Sequence, residues 1–300
     1  LKNKALWVGG IMLAIIIIVM YFGAYFPKVD PTLAEVKHRW NENNRLMLPR
    51  YAPSDVNILG SDRNGVDNFS KLIIGTKETI YLIVGIALVR YLIGIPLGLL
   101  SYRNKGFFHV ITSCWNQIFS YLPTFFSAAL LVSIPYFLFN SYRMLWVVLI
   151  LAILEAGRVA YVIQQQTNKL SKELFVEAGH ALGLNPLRLV KSCYLPALLP
   201  ETIVNFCMDV GKVALLIGQL GIIGIFLSQD WVEIGFFTMR ISNTSSNWIN
   251  VLADHRSDIY LSKFAFIFFP ALAIMYTIIT FNILGEGLRK LFNRRGNSVV

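Results

Sequence analysis

Residues 177–200 read EAGHALGLNPLRLVKSCYLPALLP, a short polar stretch of helix formers set between long apolar runs. Good helix formers run from Ser171 to Leu182, and Gly183 follows where a left-handed residue commonly closes a helix. Pro186, whose fixed φ suits a first helical turn, opens a second helix. The pattern therefore predicts two short helices joined by a Gly183-Leu184-Asn185 turn, with Pro196 and Pro200 marking the return into the apolar run that follows. A compact projection of this kind suits a groove of another protein. It also suits amphipathic helices lying on a lipid surface, and the residues alone leave both readings open.

The flanking runs decide the class. Of 300 residues, 55% are hydrophobic and 15% charged, and the mean hydropathy is +0.57; a soluble domain carries about 25% charged residues. Crossing about 30 Å of hydrocarbon takes roughly 20 mainly apolar residues. Six segments meet that length: Leu6–Phe26, Thr79–Tyr102, Trp115–Phe139, Leu145–Gln164, Thr202–Leu227 and Phe264–Leu284. The expectation is an all-α integral membrane protein with six transmembrane helices. The first run follows Lys2 and Lys4, is longer than a signal-peptide core and is not followed by a small-residue cleavage site, so it reads as a retained anchor.

The net charge of +10 does not point to nucleic acid, because the basic residues are scattered among the loops rather than gathered on one face. They do orient the chain. With six alternating spans, Lys2, Lys4, Arg103, Lys105, Lys169, Lys172, Arg188, Lys191, Arg289, Lys290, Arg294 and Arg295 share one side. By the positive-inside rule that side is the cytoplasm, which places both termini there and the long loops Pro27–Lys71 and Ser228–Lys263 outside. In the first outer loop, Asp30-Pro31 predicts a short helix over Thr32–Leu46. Trp231, Phe236, Phe237 and Trp248 in the second suit interfacial or half-buried positions. Cys114, Cys193 and Cys207 have neither disulfide nor metal-ligand spacing and read as free thiols.

Missing motifs narrow the function. Gly211-Lys212 is followed by Val and lacks the upstream glycine of a phosphate-binding loop, so the chain has no such device for holding nucleotide. No HExxH or GxSxG occurs, which removes the commonest membrane hydrolase chemistries. Asp62-Arg63-Asn64-Gly65 starts like a calcium loop but lacks the later oxygen ligands and the closing Glu. No catalytic residue and no metal ligand is therefore assigned. Inside the apolar runs lie Arg90, Glu155, Arg158, Asp209 and Lys212, each costing on the order of 2.5–3.5 kcal/mol on insertion scales unless it faces protein or water. Glu155 with Arg158, and Asp209 with Lys212, are three apart and share a helix face, so each pair can neutralise itself. Two readings follow: structural pairing between spans, or a polar lining for a hydrophilic or zwitterionic substrate such as a peptide.

Glu177-Ala178, with Gly183 five residues after the Ala and Leu195-Pro196 closing the stretch, resembles the EAA loop of bacterial ABC importer permeases. Gly60-Ser61-Asp62-Arg63-Asn64-Gly65-Val66-Asp67 through Leu72 and Gly75 resembles the outer segment of the dipeptide, oligopeptide and nickel permeases. Ile95-Pro96-Leu97-Gly98-Leu99 resembles their next span, and Phe269-Pro270-Ala271-Leu272-Ala273-Ile274 with Phe281-Asn282-Ile283-Leu284-Gly285-Glu286-Gly287-Leu288-Arg289 resembles their last span and tail. The likeness covers most of Gly60 to Arg289. Gly179 and His180 depart from the small and basic pair common there, and Gln219–Gly224 departs from the usual Ser-Leu-Ser-Phe-Leu-Gly run, which leaves the substrate open.

This resemblance implies a C-type permease subunit in a bacterial cytoplasmic (inner) membrane, one of two unlike permeases that together form the translocation path. The implied partners are the second permease subunit, two cytoplasmic ATPase subunits that bind ATP and Mg, and an extracytoplasmic substrate-binding protein; no cofactor is implied for this chain. Glu177, Ala178, Gly183, Leu184, Asn185, Pro186 and Leu187 would form the ATPase-coupling element. Residues 1–26 would be the anchor, 27–71 an extracytoplasmic segment, 72–289 the permease core with its coupling loop at 167–200, and 290–300 a cytoplasmic tail. The expected cargo is an oligopeptide or dipeptide, with a nickel or metallophore importer as the alternative. An ion-coupled secondary carrier is the reading from a different class, with the buried ionisable residues as its coupling groups.

Overall fold

The computed structural model describes residues 3–40, 46–225, 227–235, 238–243, 245–255 and 265–297. Its elements in chain order are helix α1 (Lys4–Phe22), strands β1 (Arg39–Trp40) and β2 (Leu46–Met47), and helices α2 (Asn68–Leu100), α3 (Phe107–Tyr121), α4 (Thr124–Val132), α5 (Pro135–Leu138) and α6 (Arg143–Leu170). Helices α7 (Leu174–Ala181), α8 (Pro186–Leu189) and α9 (Leu195–Ile222) follow, then the hairpin β3 (Gln229–Gly235) and β4 (Thr238–Asn243), and finally α10 (Trp248–His255) and α11 (Ala265–Asn297). Among the described residues the chain is an all-helical membrane protein apart from two small antiparallel strand pairs, β1 with β2 and β3 with β4. Among the described residues, five helical segments are long and apolar enough to cross a bilayer: Lys4–Tyr25, Asn68–Leu100, Arg143–Leu170, Pro186–Ile222 and Phe266–Asn293.

The span expected over Trp115–Phe139 is not one helix. It is divided among α3, α4 and α5, with Leu122 at φ −97, ψ 132 and Ile134 at φ −59, ψ 132. Each precedes a proline, Pro123 or Pro135, whose ring disfavours the helical conformation in the residue before it. The helix expected over Thr32–Leu46 is also absent from the described residues 32–40. Asp30 takes up the local N–H groups instead, accepting bonds from the Thr32 N–H (2.9 Å), the Thr32 hydroxyl (2.6 Å) and the Ala34 N–H (2.9 Å), so the side chain builds a turn where a helix would need its backbone free. Phe236 and Phe237 lie outside the described residues, whereas Trp248 is buried.

The chain forms two compact units. One comprises Leu1–Gly9, Val84–Val213 and Phe281–Val300. Within it, Gly94 and Gly98 let α2 and α6 meet closely: a Cβ on Gly98 would lie 2.6 Å from the Ala160 carbonyl oxygen, and one on Gly94 would lie 2.7 Å from Val159 Cγ1. Small residues four apart are a common device for packing helices in lipid, where apolar burial gives little drive. The core at this level holds Tyr91, Val159, Ile163, Val176, Leu189, Tyr194 and Leu198.

The other unit comprises Gly10–Ile83 and Ala214–Thr280. Asp67 caps α2, its carboxylate accepting from the Ser70 N–H at 2.7 Å. The Asp62 carboxylate, where the sequence starts like a calcium loop, accepts from the N–H groups of Asn64 (2.9 Å) and Val66 (2.8 Å) and pairs with Lys71. Trp248 Nε1 donates to the Leu72 carbonyl (2.7 Å), which fastens α10 to the first turns of α2. Asn250, fully buried, accepts from the Leu227 N–H (3.1 Å) and donates to the Ser228 carbonyl (3.2 Å). Asn250→Leu leaves both backbone groups unpaired and is expected to cost about 1–3 kcal/mol, seen as a lower melting temperature in detergent. An unchanged melt would mean that this segment is held by other contacts.

Candidate functional site

Two features stand out, both within the unit that contains Val84–Val213. The first is a hook made of α7 and α8. Its turn is a Schellman closure: the Gly183 N–H donates to the His180 carbonyl (3.0 Å) and the Leu184 N–H reaches back to the Gly179 carbonyl (3.2 Å). Gly183 stands at φ +72, the left-handed region. Gly179 leaves room for the closing contact, since a Cβ there would lie 3.1 Å from Leu189 Cδ1 and 3.3 Å from Leu184 Cδ1. The unusual Gly179 is thus matched to this turn.

Val176 and Leu189 are buried in the core described above, while Leu174 (81% exposed), Leu182 (81%) and Leu187 (84%) point outward. The two anchors contribute roughly 1.5–3 kcal/mol each by burial. Of the residues the sequence singled out, Glu177, Ala178, Gly183, Asn185, Pro186 and Leu187 are exposed on the hook, and Leu184 is half-buried against its base. The sequence reading missed Val176 and Leu189, which lie thirteen residues apart and are brought together only by the turn.

The second feature is a charge network near the middle of α6 and α9. Arg158 Nη2 lies 2.6 Å from Glu155 Oε2 and 3.2 Å from Asp209 Oδ1, while Lys212 Nζ lies 3.1 Å from the same Asp209 oxygen. The two expected pairs are real, and Arg158 fuses them into one cluster. Tyr91 donates its hydroxyl to Asp209 Oδ2 (3.0 Å), and Thr124 donates to Glu155 Oε1 (2.6 Å). Arg90 is buried and donates through Nη2 to the Leu151 carbonyl (3.2 Å), with no bond to either carboxylate. It is therefore held by backbone, outside the paired cluster.

Beside the cluster opens a pocket of about 120 Å³, lined by Tyr91, Arg158, Asn205, Met208, Asp209 and Lys212, with Val159, Val162 and Ile163 as its apolar wall. Tyr91, Thr124 and Asn205 were not legible as site residues. Asn205 carries a signal in hindsight, since it lies one helical turn before Asp209 and so shares its face. Among the described residues, no group of three or more His, Cys, Asp or Glu side chains is placed to hold a metal ion.

Apolar spans, a polar pocket midway along α6 and α9 and a hook between the apolar runs are features of a membrane transport component. The family described as "Binding-protein-dependent transport system inner membrane component" matches residues 94–297. The chain belongs to that family, whose members serve as permeases of ABC transport systems that work with a substrate-binding protein. It is similar to the glutathione transport system permease protein of Pectobacterium atrosepticum, 24% identical over 96% of this chain and 86% of the relative. It is also similar to the probable D,D-dipeptide transport system permease protein of Escherichia coli, 26% identical over 98% of this chain and 89% of the relative. A third relative is the dipeptide transport system permease protein of Haemophilus influenzae, 25% identical over 96% and 90% of the two chains.

Proposed function

We propose that this chain is one of the two permease subunits of an ATP-driven peptide importer, with residues 72–289 as the permease core, its hook seated in a cytoplasmic ATPase and its charge network facing the substrate path. The observation that carries this reading is the hook itself. Two short helices are locked by a glycine turn and anchored through Val176 and Leu189, yet present three exposed leucines. Apolar side chains on a rigid projection suit helix-in-groove docking. Relatives named for dipeptide and glutathione transport support a peptide cargo, and a cluster with both signs of charge suits a zwitterion.

The reading requires transport by the chain together with a second permease, two ATPase subunits and a binding protein. ATP-dependent uptake of a labelled dipeptide into proteoliposomes holding all of them is the expected result. Uptake driven by an ion gradient without ATP would support the secondary carrier instead. Orientation is tested separately. With both termini cytoplasmic and the divided segment Trp115–Phe139 crossing the bilayer as a whole, cysteine placed at the exposed Ser54 is labelled from outside intact cells, and cysteine at Ser171 is not; the reverse pattern overturns the topology.

A further inference from the structure

We infer that the pocket beside Asp209 is a carboxylate-binding subsite that takes the anionic end of a substrate rather than its ammonium end. The inference rests on the substrate-path reading and adds the polarity of what the path recognises. It follows from counting which charges remain available. Asp209 Oδ1 accepts from Arg158 and Lys212 and Oδ2 accepts from Tyr91, so its acceptor capacity is largely filled from within. Glu155 is held by Arg158 and Thr124. Both carboxylates are also hidden, with side-chain exposures of 6% for Asp209 and 11% for Glu155.

The cations are the opposite. Lys212 is 57% exposed and uses one of its three N–H donors, on Asp209. Arg158 is 38% exposed and makes both of its carboxylate contacts through Nη2 alone, leaving the Nη1 and Nε donors. Both line the pocket, and the Asn205 amide lines it with them. A ligand therefore meets spare donors and positive charge, with the balancing carboxylates behind. A carboxylate has two acceptor oxygens for such donors, whereas an ammonium group would meet two exposed cations in front of carboxylates that are themselves buried. The carboxylate can belong to a peptide C-terminus or to an acidic side chain.

The test uses the assembled transporter in nanodiscs and ¹⁹F NMR of trifluoromethyl-phenylalanine dipeptides, N-acetylated to remove the ammonium group. Three probes are compared: the free acid, its C-terminal amide, and an amide whose other residue is Glu. The free acid is expected to bind about tenfold more tightly than the plain amide, the order expected for hydrogen bonds to a charged group. Lys212→Met should remove that preference. Binding of the Glu-containing amide at the level of the free acid assigns the site to any carboxylate, and binding at the level of the plain amide assigns it to the C-terminus. Equal binding of free acid and plain amide, no binding of either, or a preference unchanged in Lys212→Met overturns the subsite. Dipeptide uptake by Lys212→Met separates the two readings: a wild-type preference that is lost in the variant with full uptake removes the pocket from the path, whereas reduced uptake by the variant when the wild type itself shows no preference keeps the path and removes the carboxylate subsite.

Discussion

Gly183→Pro is expected to abolish transport while leaving the protein inserted in the membrane. Gly183 holds φ +72, whereas a proline ring fixes φ near −65° and removes the N–H that the His180 carbonyl accepts at 3.0 Å. The Schellman closure cannot form, and the cost of about 3 kcal/mol leaves the native turn a minor population. The consequence is positional. Leu182 and Leu187 stand on opposite sides of this turn and are both exposed, so changing its geometry pulls apart the surface on which the proposed docking rests. Packing plays no part, because a Cβ at Gly183 meets nothing within 4 Å. Gly183→Asn therefore serves as a control, since Asn tolerates the left-handed region and should keep most activity. The measurements are uptake normalised to inserted protein and recovery of the ATPase subunits with the permease. Loss of both in Gly183→Pro with retention in Gly183→Asn is the expected pattern, and full uptake by Gly183→Pro removes the hook from coupling.

The hook was legible because its signals are local. Gly183 and Pro186 speak for their own dihedral angles, and their spacing fixes a turn whatever the rest of the chain does. The same locality explains two errors. Apolarity over Trp115–Phe139 satisfied the length of a span, but Pro123 and Pro135 determine the conformation of the residues before them and divide it. Asp30 looked like the start of a helix, and its carboxylate was instead committed to the N–H groups of Thr32 and Ala34. Propensity does not reveal which competing bond a short polar side chain will make. The charge pairs three residues apart were readable from helical periodicity alone, whereas the bridge from Arg158 to Asp209 joins α6 to α9 and depends on tertiary packing. Tyr91 and Asn205 are ordinary residues until that packing places them against Asp209 or its pocket.

That bridge changes what removing the buried charge should do. Taken as an isolated pair, Asp209 and Lys212 could be replaced together by apolar residues at little cost, as is often found for buried pairs. In the structure Asp209 serves three donors on three helices: Tyr91 of α2, Arg158 of α6 and Lys212 of α9. Asp209→Leu should therefore cost about 3–5 kcal/mol, the range for breaking a buried pair from one side. Adding Lys212→Met should recover little, because the 57% exposed ammonium is not enclosed within the chain. Adding Tyr91→Phe should recover more, about 1–3 kcal/mol, because the stranded hydroxyl is buried and has lost its acceptor. Arg158 keeps Glu155 in every variant and so contributes little to the differences. Thermal unfolding of the detergent-solubilised chain orders the variants: Asp209→Leu and its Lys212→Met double should melt together and well below the wild type, with the Tyr91→Phe combination above both. A double variant that melts like the wild type would mean that Asp209 and Lys212 form a self-contained pair after all, and that the contacts from Tyr91 and Arg158 carry no stabilising energy.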